Sequence, residues 1–314
     1  MIITEFYNGQ GLGNQLWCYF VTKTIAKLNN YKFGIMSPNK FKGKEFMQLD
    51  FGESVIGGFG PEGGPPNILP NSINNYYKEK TEHHPISRLD ISGQDLNLLN
   101  LLDNTKIDGT MQSYLYIKEH RKEIIESIKI EENKRVTIED NSNSCFIHVR
   151  GGDFKGSSAI LYEDYYKNAM QYFTDVNKNM KFYFVTDDFH FCRSILKNVE
   201  PTGSCLLKEQ DINKANHHLG GPIWMDYSIL NNAENIIMSA SSFGWWPVWT
   251  NKNAKNIIAP KYWARHNVSN GYWATGDIYT RCFKYLDREN NLSTYEECKN
   301  EALNWLKNNN IKYN

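Results

Sequence analysis

Three clusters in this chain have residue types and spacings suited to holding an anionic ligand. The first is "HVRGGD", residues 148–153. Side chains alternate along a strand, so His148 and Arg150 are expected to share a face. A guanidinium presents a planar fork of donors that suits a diphosphate leaving group. Gly151 and Gly152 would leave room for a ligand against the backbone. Asp153 would aim Arg150, bind a ligand hydroxyl or accept a proton. The simpler reading is an exposed Arg–Asp pair at a strand end, worth little. The second cluster is "SASSFGWWPVWT", residues 239–250, where a strand should meet a helix. Ser241 and Ser242, with the N–H groups that follow, would cradle a phosphate. Trp245 and Trp249 are spaced as core residues. The third is "NGQGLGNQ", residues 8–15, which reads as a glycine loop opening a helix. It is either a second phosphate cradle or a tight turn.

Other chemistries have less support. In "FVTDD", Thr186, Asp187 and Asp188 would contact a ligand or cap the next helix. The two acids are adjacent, so their side chains should diverge at a strand end, against a D-x-D metal clamp. Gly9, Gly11 and Gly13 do not follow the dinucleotide fingerprint, and no acid ends the second predicted strand. The His pairs in "EHHP" and "NHHL" lack zinc-ligand spacing. No G-x-S-x-G elbow occurs.

The elements that must position these residues follow an α/β rhythm. "IITEFY" reads as a strand and "NQLWCYFVTKTIAKLNN" as a helix with a near-3.6 apolar period, with "YKFGIM" a second strand. "GGFGPEGGPP" and "TEHHP" read as long loops. "HRKEIIESIKI" reads as a helix, and the polar run "EENKRVTIEDNSNS" marks a boundary. Beyond it come the strands "CFIHVR", "KFYFVT", "GSCLL", "ENIIMS" and "KNIIAP", alternating with helices. The tail "STYEECKNEALNWLKNN" opens on a Ser N-cap with Glu296 three residues on. Two Rossmann-like halves with a cleft between them fit this order. The expected limits are 1–140 for an N-terminal acceptor-side domain and 141–290 for a C-terminal GDP-sugar-binding domain. Residues 291–314 are expected to form a C-terminal helix.

Composition narrows the function. The 314 residues suit two domains. Lys plus Arg and Asp plus Glu each number 35, so no global charge recruits nucleic acid or an anionic membrane. The six Cys are scattered with no C-x-x-C pair, which reads as reduced thiols in a cytoplasmic protein. No stretch has the length of apolar sequence a membrane span needs, so any membrane association would be peripheral.

"GLGNQL" (11–16), "HVRGGDF" (148–154), "FYFVTDD" (182–188) and "SSFGWW" (241–246) together resemble the bacterial α-1,2-fucosyltransferases of glycosyltransferase family 11. "KNIIAPKYW" is similar to that family's late strand motif. The resemblance covers residues 5–263 and implies a GT-B fold, with two Rossmann-like domains facing across a cleft. It also implies a GDP-sugar donor, usually GDP-L-fucose, inversion at the anomeric carbon, a glycan acceptor, and no metal or other cofactor. It carries the β-phosphate grip to Arg150, and a catalytic-site position to His148. Guanine recognition falls to Asp226, whose carboxylate can accept both N1–H and N2–H. The remaining donor contacts fall to Gly11, Gly13, Asn14, Gln15, Asp187, Ser241, Ser242 and Phe243. Asp153 is the first choice for the base, ahead of Glu163 or Asp164. Three positions depart from the family pattern. Gln10 interrupts a Gly-Gly, Gly151 stands where many members carry a second Arg, and Gly244 replaces a Ser. The expected activity is transfer of L-fucose to the 2-OH of a galactoside. The alternatives are another GDP-deoxysugar, a non-catalytic carbohydrate-binding protein, and a nucleotide-sugar oxidoreductase.

Overall fold

The computed structural model describes residues 1–55, 72–80, 82–83, 90–91, 94–156, 161, 163–211, 222–263, 276–308 and 310. The glycine- and proline-rich stretch 57–66, His84, His217 and His218 lie outside them. The chain divides into two units, Met1–Lys129 and Ile130–Asn310. The division falls before the boundary expected at residue 140. The polar run 131–143 packs with the second unit because its backbone is bonded there. Val136 N–H donates to Ser228 Oγ at 2.7 Å, and Asn232 Nδ2 donates to Val136 O at 2.9 Å.

In the first unit, β1 (Ile2–Glu5) leads through the glycine loop into α1 (Leu12–Leu28) and then β2 (Phe33–Met36). Later come β3 (Asn75–Lys78), β4 (Thr105–Asp108) and the short α2 (Arg121–Ser127). The sheet order is β2-β1-β4-β3 and every pair is parallel. The helix begins at Leu12, two residues before the apolar period suggested, with Gly11 as an extended N-cap. Leu16, Trp17, Phe20, Val21 and Ile25 of α1 are all buried, which fixes the helix on the sheet.

Glu79, one residue past β3, is buried at 4% exposure. Its Oε2 accepts from Met111 N–H at 2.8 Å, while its Oε1 has no hydrogen-bond partner among the described residues. Burial pushes this carboxyl up to about 7. The folded-state value lies above the unfolded one. The folded state therefore binds the proton more tightly, and stability falls as pH rises from about 4.5 through about 7. Glu79→Gln should remove that slope. Thermal melts of the two proteins should differ by more at pH 7.5 than at pH 5, by on the order of 3 kcal/mol. Parallel pH profiles would show that Glu79 stays ionised across the range.

The second unit contains β5 (Ser144–Val149), α3 (Glu163–Val176), β6 (Lys181–Thr186), α4 (Phe189–Ile195), β7 (Glu200–Pro201) and α5 (Ser204–Asp211). It continues with α6 (Ile223–Asn232), β8 (Asn235–Ile237), α7 (Ser242–Thr250), β9 (Asn256–Pro260), β10 (Lys284–Leu286), β11 (Leu292–Ser293) and α8 (Tyr295–Asn308). The sheet order is β7-β6-β5-β8-β9-β10-β11, and only the β10–β11 pair is antiparallel. In chain order this is the doubly wound 3-2-1-4-5-6 arrangement with one added edge strand. Every residue of β5 is buried, as a central parallel strand covered on both faces requires. Cys145, Ile147 and Val149 of β5 pack with Phe173, Phe184, Ile237 and Ile258 in the core. The protein is thus α/β, with two parallel-sheet, Rossmann-like units.

Two local expectations are corrected. "GSCLL" is not a strand but the start of α5, because Asp226 takes the N–H and hydroxyl of Ser204 at the helix entrance. The cap of α8 is Thr294 rather than Ser293. Glu297 Oε2 accepts from Thr294 N–H at 2.7 Å, and Glu297 N–H donates back to Thr294 Oγ1 at 3.3 Å. Among the described residues, no helix is long and apolar enough to cross a membrane. None of the six cysteines is in a disulfide, and all but Cys282 are buried.

Candidate functional site

In a doubly wound sheet, ligands bind beyond the carboxyl ends of the strands where the order reverses. In the second unit that point lies between β5 and β8. The loop after β5 is Arg150–Asp153, and the segment after β8 runs from Met238 to Ser241. Two of the motifs singled out by residue type are therefore side by side at the switch point.

Arg150 is held from both sides. Nη1 donates to Asp187 Oδ2, and Nη2 to Asp153 Oδ1 at 2.5 Å. Its guanidinium also lies 5.1 Å from the centre of the Phe154 ring. The two carboxylates are not equivalent. Asp153 is 73% exposed, whereas Asp187 is 33% exposed and also accepts Gly151 N–H through Oδ1 at 2.8 Å. Asp187 fixes the guanidinium, and Asp153 is the partner an arriving anion can displace.

Asp188 binds the same loop one residue further on and also reaches the next helix. Its Oδ1 accepts from Phe191 N–H at 3.0 Å and caps α4. Its Oδ2 accepts from Gly152 N–H at 3.3 Å and pairs with Lys155 at 2.5 Å. Despite the cost of burial, Lys155 and these N–H donors hold its carboxyl below the usual range.

The glycines serve this internal clamp rather than ligand clearance. A Cβ on Gly151 would stand 2.5 Å from Asp188 Cβ. Gly152 has φ +45°, a left-handed conformation, and a Cβ there would meet Asp187 Oδ2 at 2.8 Å. "RGGD" and "TDD" are thus one interlocked loop pair.

His148 does not share a ligand-facing surface with Arg150, which lies beyond the strand end. The imidazole is buried, with Nδ1 2.8 Å from Ser239 Oγ and the ring centre 5.9 Å from that of Phe243. Burial, and then the Arg150 charge, push His148 down to about 3. It is neutral at pH 7 and a poor base. Its place is under the site, tying β5 to the segment after β8. A Cβ at Gly244 would come within 2.5 Å of its Nδ1, which accounts for glycine at that position.

Ser241 is the extended N-cap of α7, and Ser242 and Phe243 form its first turn. The first N–H groups of a helix lack intrahelical acceptors and favour an anion. The Ser241 side chain makes no capping bond. Trp245, Trp246 and Trp249 are fully buried, with Trp245 and Trp249 stacked at 5.0 Å. They are core residues.

Asp226 is buried in the first turn of α6. Its Oδ1 accepts from Ser204 N–H at 2.9 Å and its Oδ2 from Ser204 Oγ–H at 2.6 Å. Gly203, at φ +63°, makes room, since a Cβ there would lie 2.4 Å from Asp226 Oδ1. The acid therefore holds the entrance of α5, next to the end of β6, where Thr186 N–H donates to Cys205 Sγ at 3.2 Å.

Four further candidates lie in the first unit. Gly11 is open, with nothing within 4 Å of an added Cβ. Gly13 is buried in α1. Asn14 Oδ1 accepts from Gln112 Nε2 at 2.9 Å. Gln15 is not presented to a ligand. It is fully buried and clamps the backbone after β2, donating to Lys40 O at 2.9 Å and accepting from Lys42 N–H at 2.8 Å. Glu163, the reserve base, pairs with Lys167 at 2.6 Å.

Sequence reasoning missed Ser239, Ser204, Gly203 and Lys155, each a partner of a residue it had named. The signal for Ser239 was available in "MSASS", where a small hydroxyl follows a strand beside the named serines. Ser204 was hidden by the reading of "GSCLL" as a strand.

A family model described as Glycosyl transferase family 11 matches residues 104–286, more than half of the chain. An Escherichia coli alpha-1,2-colitosyltransferase is 22% identical over 224 residues, which is 66% of this chain and 72% of that protein. The O-antigen biosynthesis glycosyltransferase WbnK of Escherichia coli is 24% identical over 141 residues, 43% of each chain. Among solved structures, the fucosyltransferase NodZ from Bradyrhizobium aligns with a TM-score of 0.42 at 14% identity. That alignment covers 82% of this chain and 94% of that one.

Proposed function

The chain belongs to glycosyl transferase family 11, and from that premise we propose that it transfers L-fucose from GDP-fucose to a hydroxyl of a glycan, the 2-OH of a galactoside. The observation that carries this reading is Arg150, fixed by Asp187 at the switch point of the second unit, beside the N-terminus of α7. In the reaction the acceptor oxygen attacks the anomeric carbon from the face opposite the leaving group. The bond from that carbon to the β-phosphate oxygen breaks, and the electron pair leaves with GDP. Negative charge grows on the diphosphate, where a fixed guanidinium and helix N–H groups stabilise the transition state more than the ground state. In this proposal Asp153, released from Arg150 as the phosphate takes its place, accepts the acceptor's proton. In this reading the positive field comes from Arg150 and backbone N–H groups, and no metal is needed. The enzyme works in the cytoplasm on surface-polysaccharide precursors. The name of the colitosyl-transferring relative, and Gly151 in place of a second Arg, favour another GDP-deoxysugar as the second reading.

A screen of GDP-sugars against galactoside acceptors in excess EDTA, read by glycan mass spectrometry, tests this reading. Full turnover without metal is expected, with GDP-sugars used and UDP-sugars refused. Turnover abolished by EDTA and restored by Mn²⁺ or Mg²⁺ would overturn the metal-free mechanism.

A further inference from the structure

We infer that Tyr7, Tyr76 and Asp108 of the first unit form a subsite for one sugar ring of the acceptor glycan; this inference rests on the glycosyl-transfer reading above. Both phenols donate to the same carboxylate. Tyr7 O–H reaches Asp108 Oδ1 at 3.2 Å, and Tyr76 O–H reaches Oδ2 at 2.7 Å. The three residues gather where ligands of parallel sheets bind. Tyr7 follows β1, and Asp108 ends β4, the two strands between which the order of the first sheet reverses.

The tyrosines are exposed in a way their size does not favour. Tyr76 is 55% exposed and Tyr7 is 37% exposed. Two large amphipathic rings left in solvent beside a shared carboxylate mark a surface that another molecule covers. Lys106, on the same face of β4 as Asp108, makes a buried ion pair with Glu5 of β1 at 2.6 Å, and its Nζ lies 5.7 Å from the Tyr7 ring. That cation is neutralised within the sheet, so the surface charges of the patch are the Asp108 carboxylate and the exposed Lys78 across from it on β3.

The chemistry selects the ligand. A carboxylate has acceptor capacity for about four hydrogen bonds, and the two phenols use one on each oxygen. What remains suits hydroxyl donors, which a sugar ring supplies on several carbons. The aromatic rings suit the C–H face of a pyranose, which a galactoside presents. The hydrogen bond to Asp108 raises Tyr76 to about 12, so the phenol stays a donor at any working pH. A neutral polyhydroxylated ring satisfies all three residues; a nucleotide diphosphate does not.

The test uses the full chain, with lactose as the probe. Saturation-transfer NMR should show lactose on the wild type and lose it in Tyr76→Ala and Asp108→Asn. With an active donor, both variants should raise the acceptor KM about tenfold or more, leaving the GDP-sugar KM within about twofold. Tyr76 is exposed, so its removal should leave the fold intact, which circular dichroism checks. Folded variants with wild-type acceptor KM and wild-type lactose signals would overturn the subsite. If the wild type transfers no sugar from any GDP donor, the proposed function fails, and lactose binding alone decides the subsite. Signal on the wild type that Tyr76→Ala loses would support it; no signal, or equal signals, would overturn it.

Discussion

Replacing Arg150 by Lys should lower kcat by about two orders of magnitude, and Arg150→Ala by at least as much. The geometry explains why Lys is no substitute. One guanidinium is aimed by Asp187 while its other nitrogen meets Asp153. An ammonium is a point charge on a flexible stem and cannot span both partners while offering a fork to a diphosphate. The loss should fall on kcat more than on GDP-sugar affinity, because the leaving diphosphate gains charge as the bond breaks. Stability should change little, since Asp153 is exposed and surface ion pairs contribute little. Asp153→Asn should keep the fold and separate the two roles of that acid. A base role lowers kcat with a shifted pH profile, whereas mere pairing with Arg150 leaves the profile unchanged. A folded Arg150→Lys enzyme with near-normal kcat would reduce the motif to a strand-end ion pair.

Asp226→Ala should weaken GDP binding by roughly 1.5–3 kcal/mol, the scale of hydrogen bonds to a charged acceptor, and should erode the preference for guanine over uracil. The same substitution should also destabilise the second unit by about 1–3 kcal/mol, because the Ser204 N–H loses its buried acceptor. These effects must be told apart, and Ser204→Ala does so. It removes the hydroxyl bond to Asp226 but keeps the acid, so it should cost about 1 kcal/mol of stability and leave GDP affinity intact. Calorimetry showing equal GDP affinity for both variants and the wild type would make Asp226 an anchor for α5 and nothing more.

The sequence carried the parts of the fold that depend on local pattern. The continuous apolar run "SCFIHV" is legible as a central parallel strand, and it is buried along its whole length. Alternation along the chain predicts parallel sheets, which is what both units contain. What was not legible depends on contacts distant in sequence. "GSCLL" is a helix because a carboxylate 22 residues away holds its first N–H. Gly151 and Gly152 resemble ligand clearance until the side chains of Asp187 and Asp188, 36 residues on, are seen to fill the space. His148 and Arg150 obey strand alternation only while the strand lasts, and it ends at Val149. Gln15, beside an apparent phosphate loop, faces the backbone of residues 40 and 42. Residue types drew attention to these loops, but the inward or outward direction of each side chain was set by its distant partners.

The central claim is sugar transfer from a GDP donor with inversion at the anomeric carbon. Proton NMR of the purified product, made from GDP-β-L-fucose and a galactoside by the full chain, tests it most directly. The account predicts one added deoxyhexose, in α linkage to the galactose 2-OH, with one GDP released for each sugar transferred. A product with retained β configuration, or GDP-sugars left intact with every galactoside offered, would contradict it.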